Sequence, residues 1–282
     1  MAAPSSDRLT LAYMQRSTEI RKRVRAFAAA LWGASASLRD ADVDRLVARI
    51  IPVVQGGQLQ VANITNAYIQ RLAELEGVTA TATAVNRDQV VGYRGVPAAD
   101  VYRRPAVATY AALAAGKPFE KARAEGLHRL ESIVTTDIQQ ARTRQARAGY
   151  EQTGFDYTLR VLSGAENCAL CVIASTQRYH LSDLQPMHPG CDCGERGVKA
   201  GRDPGQVIDA DLLELTHTQI ESKLGYTDRN ARDLLRGKTD SRGRPISDFT
   251  ELIVTREHGE LGPTLTWRSD QFTAEADIDA LH

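Results

Sequence analysis

No run of apolar residues in this chain approaches the roughly 20 positions that a membrane-spanning helix needs. The opening stretch, residues 1–8, lacks the charged-then-apolar pattern of a signal peptide. The expectation is a protein made and kept in a reducing cytoplasm. Net charge is also missing, with 35 basic residues set against 35 acidic ones. That leaves no global attraction to nucleic acid or to an anionic membrane. Aromatic residues are scarce, at 6%, so the core must be built from Leu, Ile, Val and Ala, which favours helices. There is no Gly-x-x-x-x-Gly-Lys phosphate loop, no Gly-x-Ser-x-Gly nucleophile elbow and no repeat of fixed period. What remains is ordinary for a water-facing globular chain: 43% hydrophobic and 25% charged residues over 282 positions, enough for one large domain or two smaller ones.

Cysteine is scarce too, and its placement is informative. All four cysteines lie between positions 168 and 193. They form Cys168-x-x-Cys171 and Cys191-x-Cys193, with His188 just ahead of the second pair. Zinc takes thiolates and imidazoles in a tetrahedron, and a Cys-x-x-Cys turn offers two sulfurs to one ion. The single residue inside the second pair is tighter than the usual knuckle spacing. The ligand set is therefore Cys168, Cys171, Cys191 and Cys193, or three of these with His188. Pro186 and Pro189 restrict the backbone around that histidine, and His180 is a weaker alternative. Disulfides, redox-active thiols and plain buried thiols are the competing readings. Disulfides become preferable if the chain works outside a cell.

A catalytic zinc needs an open position and a general base. Glu166 and Glu195 are close in sequence, yet neither sits in a His-Glu-x-x-His helix or a deaminase set. A closed structural Zn2+ site, one per chain, is the preferred reading. No Lys/Arg-rich helix follows the cysteines, so a nucleic-acid zinc finger fits poorly. His258-Gly-Glu260 reads as a hairpin turn and not as part of a catalytic set.

In chain order, apolar spacing predicts a helix over 9–33 carrying Ile20, Val24, Phe27 and Leu31. Arg21, Lys22, Arg23 and Arg25 then fall on a solvated face. A second helix starts with Asp40 or Asp42 as N-cap and is kinked or ended by Pro52. Gly56-Gly57 reads as a hinge, followed by a third helix with Val61, Ile64, Tyr68, Leu72 and Leu75, capped by Gly77. Residues 78–95 read as a connection with room for a short strand. Pro97 and Pro105 each suit the start of a helix. The longest helix is expected over 119–148, with one apolar face through Leu127, Leu130, Val134, Ile138 and Ala141. Arg142, Arg144 and Arg147 at its C-terminal end suit the helix dipole.

The period changes to two at 155–161, which predicts a strand. After the cysteines come a glycine-rich loop, helices near 209–224 and 227–237, and a polar loop over 238–247. Two strands of a hairpin are expected at 251–256 and 264–268. The tail is acidic, with Glu275, Asp277 and Asp279. The expected fold class is mainly α with a small α+β, zinc-stapled C-terminal domain. The divisions are 1–149, 150–273 and 274–282.

The stretch Arg160-Val-Leu-Ser-Gly-Ala-Glu-Asn-Cys-Ala-Leu-Cys171, with Tyr179 through Cys193, resembles the MuF-like minor capsid proteins of tailed phages, above all those of actinobacterial phages. His258-Gly-Glu-Leu-Gly-Pro263, Leu265-Thr-Trp267 and Phe272-Thr are similar to the end of the same proteins. Asp100-Val-Tyr-Arg-Arg-Pro105 and Thr136-Asp-Ile-Gln139 also fit, so the likeness spans roughly 95–273. It implies a non-enzymatic head-morphogenesis protein inside the virion, near the portal vertex, present in the host cytoplasm during assembly. The implied partners are the portal protein, the major capsid or scaffold protein and packaged DNA, with no membrane. It implies a role in head assembly and in DNA packaging or ejection. Cys168, Cys171, His188, Cys191 and Cys193 match the family's Cys/His pattern, and no catalytic residue is carried over.

Two other classes compete with this reading. One is a zinc-dependent hydrolase. The other is a nucleic-acid-binding zinc protein using Arg142, Arg144 and Arg147 with the N-terminal basic helix.

Overall fold

The computed structural model describes residues 5–162, 174–175, 178–181, 184 and 193–203, and the backbone of 238–239, 245–246, 253–258 and 262–267. Helices dominate, and a small three-stranded antiparallel sheet closes one end of them.

Helix α1 runs Ser6–Ala34. It starts where the hydroxyl of Ser5 accepts from the Arg8 N–H, satisfying one orphan donor of the first turn. Its buried stripe is Tyr13, Ser17, Ile20, Val24, Ala28 and Leu31. Phe27, expected on that stripe, lies one residue off it and is 41% exposed.

The Asp40–Glu76 stretch forms one helix, α2, not two. Its cap residue is Arg39, with no side-chain cap bond, so neither Asp40 nor Asp42 caps it. Both aspartates occupy the first turn, where the helix dipole favours them. Asp42 also takes a hydrogen bond from the Ser37 hydroxyl, the main cause of its lowered pKa. Pro52 removes one ladder donor but does not end the helix, because Ile50 and Val54 on either side are both buried in the main core. Nor is Gly56-Gly57 a hinge. A Cβ on Gly57 would stand 2.6 Å from Val24 and 2.9 Å from Ile138, whereas one on Gly56 would meet nothing within 4 Å. Gly57 is the point where three helices touch. Gly77 ends α2 in the left-handed region, at φ 61°, as its residue type predicts.

The 78–95 connection holds a single-turn helix, α3 (Arg87–Val90), capped by the Asn86 side chain. It also makes an isolated bridge between Ala80 and Thr153. Helix α4 is Ala98–Ala114, and Pro105 lies inside it instead of starting a second helix. Pro105 is buried against the core, and its carbonyl accepts from the Thr109 hydroxyl at 3.1 Å.

Helix α5, Phe119–Tyr150, is shorter than α2, against expectation. It packs on α1, α2 and α4, and α2 also packs on α1 and α4. The expected apolar face is present, but residues 133–143 are buried on every side, polar ones included. No helix among the described residues is long and apolar enough to cross a membrane.

Strand β1 is Tyr157–Val161, β2 is Arg178–Tyr179 and β3 is Gly194–Val198, in the order β2-β1-β3. The central strand buries Thr158, Leu159 and Arg160 together, so both its faces are covered. Residues of this unit share a core with the helix ends: Phe155 and Leu184 pack with Tyr13, Met14, Tyr68, Leu72 and Tyr150.

The polar 238–247 stretch contains a two-residue ladder, β4 (Lys238–Thr239) with β5 (Pro245–Ile246). The expected hairpin is present as β6 (Ile253–His258) and β7 (Gly262–Trp267), antiparallel, with Ile253 opposite Trp267. The helices expected near 209–224 and 227–237 lie outside the described residues.

Candidate functional site

Cys193 is the residue just before β3, and it is buried. It is held from both sides. Its carbonyl accepts from Nη2 of Arg142 on α5, and Nη1 of Arg160 on β1 donates to its Sγ at 3.7 Å. Arg160 is itself only 2% exposed, and its guanidinium lies 5.4 Å from the Tyr179 ring centre. The register explains why these groups meet. Arg160 stands opposite Glu195 and Val161 opposite Gly194. Gly194 lets α1 come close, since a Cβ would fall 2.7 Å from the Met14 sulfur and displace that side chain.

Glu195 continues the same cluster. Its carboxylate accepts from the Tyr13 hydroxyl at 2.8 Å and faces Nη2 of Arg142 at 3.6 Å. Its carbonyl accepts from Tyr68 at 3.2 Å and from Tyr150 at 3.4 Å. Tyr13 and Tyr68 stack with ring centres 4.1 Å apart and planes 2° from parallel. Burial pushes the Tyr13 phenol well above its ordinary range. The negative Glu195 adds to this, while Arg142 and Thr65 oppose it. Burial likewise raises Tyr68 and Tyr150. One phenol, Tyr13, thus donates to the buried carboxylate and the Arg142 guanidinium faces its other oxygen, while Tyr68 and Tyr150 hold the backbone carbonyl of the same residue. In this setting Glu195 is a tie between strand and helices, not an exposed general base.

Of the predicted ligands, Cys193 is the one inside the described residues. Cys168, Cys171, His188 and Cys191 lie outside them, as does Glu166. His180 is exposed just beyond β2. Among the described residues no three His, Cys, Asp or Glu side chains converge to hold a metal. His258 ends β6 opposite Gly262, the place its hairpin reading requires.

Arg142 and Arg144 depart from the dipole account. Arg142 is 6% exposed and committed to Cys193 and Glu195. Arg144 lies 4.9 Å from the Tyr93 ring centre. Arg147 alone sits in the last turn, paired with Glu151 at 3.3 Å.

A second buried cluster was not legible in the sequence. Asp137 accepts from Tyr93 at 2.7 Å, from Arg94 at 3.0 and 2.6 Å, and from Tyr102 at 2.7 Å. Burial first, and Asp137 second, raise both phenol pKa values. The stretches 100–105 and 136–139, singled out separately above, therefore meet in space. The Tyr93-Arg94 pair comes from the connection, where a glycine-rich context masks it. Its only cue is a lone aromatic beside a basic residue.

Compared with protein-family models, with characterised proteins and with solved structures, the chain finds no match in any of the three.

Proposed function

We propose that the chain is a structural minor capsid protein of the MuF-like type, acting in phage head assembly at the portal vertex and in DNA packaging or ejection. It works without catalysis, inside the virion, in contact with portal protein. One structural zinc holds its second half through four of Cys168, Cys171, His188, Cys191 and Cys193.

The observation that carries this reading is the double tether on Cys193. Arg142 takes its carbonyl and Arg160 its sulfur, both from within the core. A cysteine so held joins the cysteine-rich stretch to the packing of the fold and does not line an open cleft. The donor chemistry also suits a metal, because an N–H donated to a thiolate sulfur steadies it as a ligand. Zinc would supply closure of the 164–200 stretch, which has little apolar content of its own.

The test is co-purification. The chain is expected in procapsids and mature particles together with portal protein, and its absence from purified particles would refute the role.

A further inference from the structure

We infer that the solvent face of α1 is a binding surface for the phosphate backbone of a nucleic acid. Arg8, Arg16, Lys22 and Arg23 are all exposed on this helix. At about 100° per residue they fall within an arc of about 120°, and at about 1.5 Å per residue they span about 22 Å. None of the four has an ion-pair or hydrogen-bond partner for its side chain among the described residues.

That is unlike much of the remaining described surface, where cations are neutralised in place. Arg45 pairs with Asp42, Arg71 with Glu74, Arg103 with Asp44, Lys117 with Glu125, Arg147 with Glu151 and Lys199 with Asp156. The acids of α1 do not balance the row. Asp7 is taken by Arg196, and Glu19 is the one acid inside the arc, leaving a net excess of three positive charges on this face. In a chain of formal net charge +0, this is segregated charge and not a general excess.

The occupant follows from the chemistry. A row of cations along one helix, mostly Arg, fits a regular array of phosphates, which guanidinium groups bind as forks. A lipid surface fits less well. A membrane-lying helix buries its bulky apolar side in the bilayer, and α1 has spent Tyr13, Met14, Ile20, Val24, Leu31 and Trp32 on the core, leaving Leu11 and Phe27 exposed on opposite flanks of the row and not on one face. The alanines between the cations, Ala12, Ala26 and Ala30, are also exposed and let a backbone approach closely. The inference is independent of the head-assembly reading, since it needs only the α1 face.

The experiment uses the full chain and a labelled DNA duplex of arbitrary sequence. Affinity is measured by fluorescence anisotropy between about 50 and 200 mM salt. Each neutralised phosphate contributes about −0.9 to the slope of log affinity against log salt, so four contacts give about −3.6. The triple variant Arg16→Ala, Lys22→Ala, Arg23→Ala should keep its fold, since alanine is a good helix former at exposed sites. Its slope should fall to about −0.9. A matched variant, Arg45→Ala, Arg71→Ala, Lys117→Ala, removes the same charge from paired sites and should keep the wild-type slope. Any one of three results overturns the inference: no salt-dependent binding by the wild type, an equal loss in both variants, or binding to anionic phosphatidylglycerol vesicles but not to DNA.

Discussion

The hydroxyl of Tyr102 on α4 donates to Oδ2 of Asp137 on α5 at 2.7 Å, while Tyr93 and Arg94 occupy Oδ1. One carboxylate thus binds the connection, α4 and α5 together. Removing it takes the charged partner from a guanidinium whose side chain is only 11% exposed. Asp137→Ala should therefore destabilise the helical unit by about 3–5 kcal/mol, the cost of breaking a buried pair from one side. Tyr102→Phe deletes one hydrogen bond and should cost about 1–2 kcal/mol. Urea midpoints of the two variants, compared with wild type, check both the size and the order of the effects.

Adjacent glycines in α2 should respond with opposite signs. A methyl at Gly56 enters open space, so Gly56→Ala should stabilise by about 0.5–1 kcal/mol through helix propensity. A methyl at Gly57 would stand 2.6 Å from Val24 and 2.9 Å from Ile138. Gly57→Ala should cost about 1–3 kcal/mol, as overpacking does. Thermal melts of the two single variants decide it, and a shared sign would refute the three-helix contact.

The same glycine pair shows what the sequence could and could not reveal. The α1 stripe was legible because apolar periodicity reports burial directly, and the strand near 157–161 because a period of two reports extended backbone, although its polar Thr158 and Arg160 are buried as well. Gly56-Gly57, Pro52 and Pro105 were misread because local propensity counts a residue alone. The helices around them are held by partners far along the chain, and that packing outweighs about 1 kcal/mol for a glycine or about 3 for a proline. Arg142 was misread for the same reason. Its role depends on Cys193, and nothing in the spacing of Arg142, Arg144 and Arg147 tells a buried cation from a solvated one.

Glu76 should make the junction of α1, α2 and β3 sensitive to acid. Its side chain takes hydrogen bonds from Ser6 and from Arg196, the latter at 3.1 Å, and lies 3.6 Å from Arg202. Burial pushes its pKa up, but Ser6 and the two arginines outweigh that and hold it below the usual value. A depressed folded pKa means the stabilisation is fully present above the unfolded value, about 4.3. It is lost as pH falls through the folded value. Melting curves from about pH 6 down to about pH 3 should show wild type and Glu76→Gln converging at the acid end. A gap that stays constant across the range would show that Glu76 acts through packing and not through charge.

Metal removal tests whether the cysteine stretch is coupled to the helices. Protein purified without added zinc should contain about one zinc per chain. Cys171→Ser should release it, because a tetrahedral site loses most of its affinity with one thiolate. The effect should then travel through Cys193, whose sulfur and carbonyl are bound by Arg160 and Arg142. Loss of order at Cys193 would leave both guanidinium groups to find other partners, and Glu195 with them. Tyr13, Tyr68 and Tyr150 report on that neighbourhood, so the near-ultraviolet tyrosine dichroism should weaken when zinc is chelated. The far-ultraviolet helix signal should hardly change, because the core around Val24, Gly57 and Ile138 lies elsewhere in the bundle. A metal-free protein with unchanged tyrosine dichroism would refute both the zinc and its coupling to the helices. Zinc present but without effect on the tyrosines would refute the coupling alone.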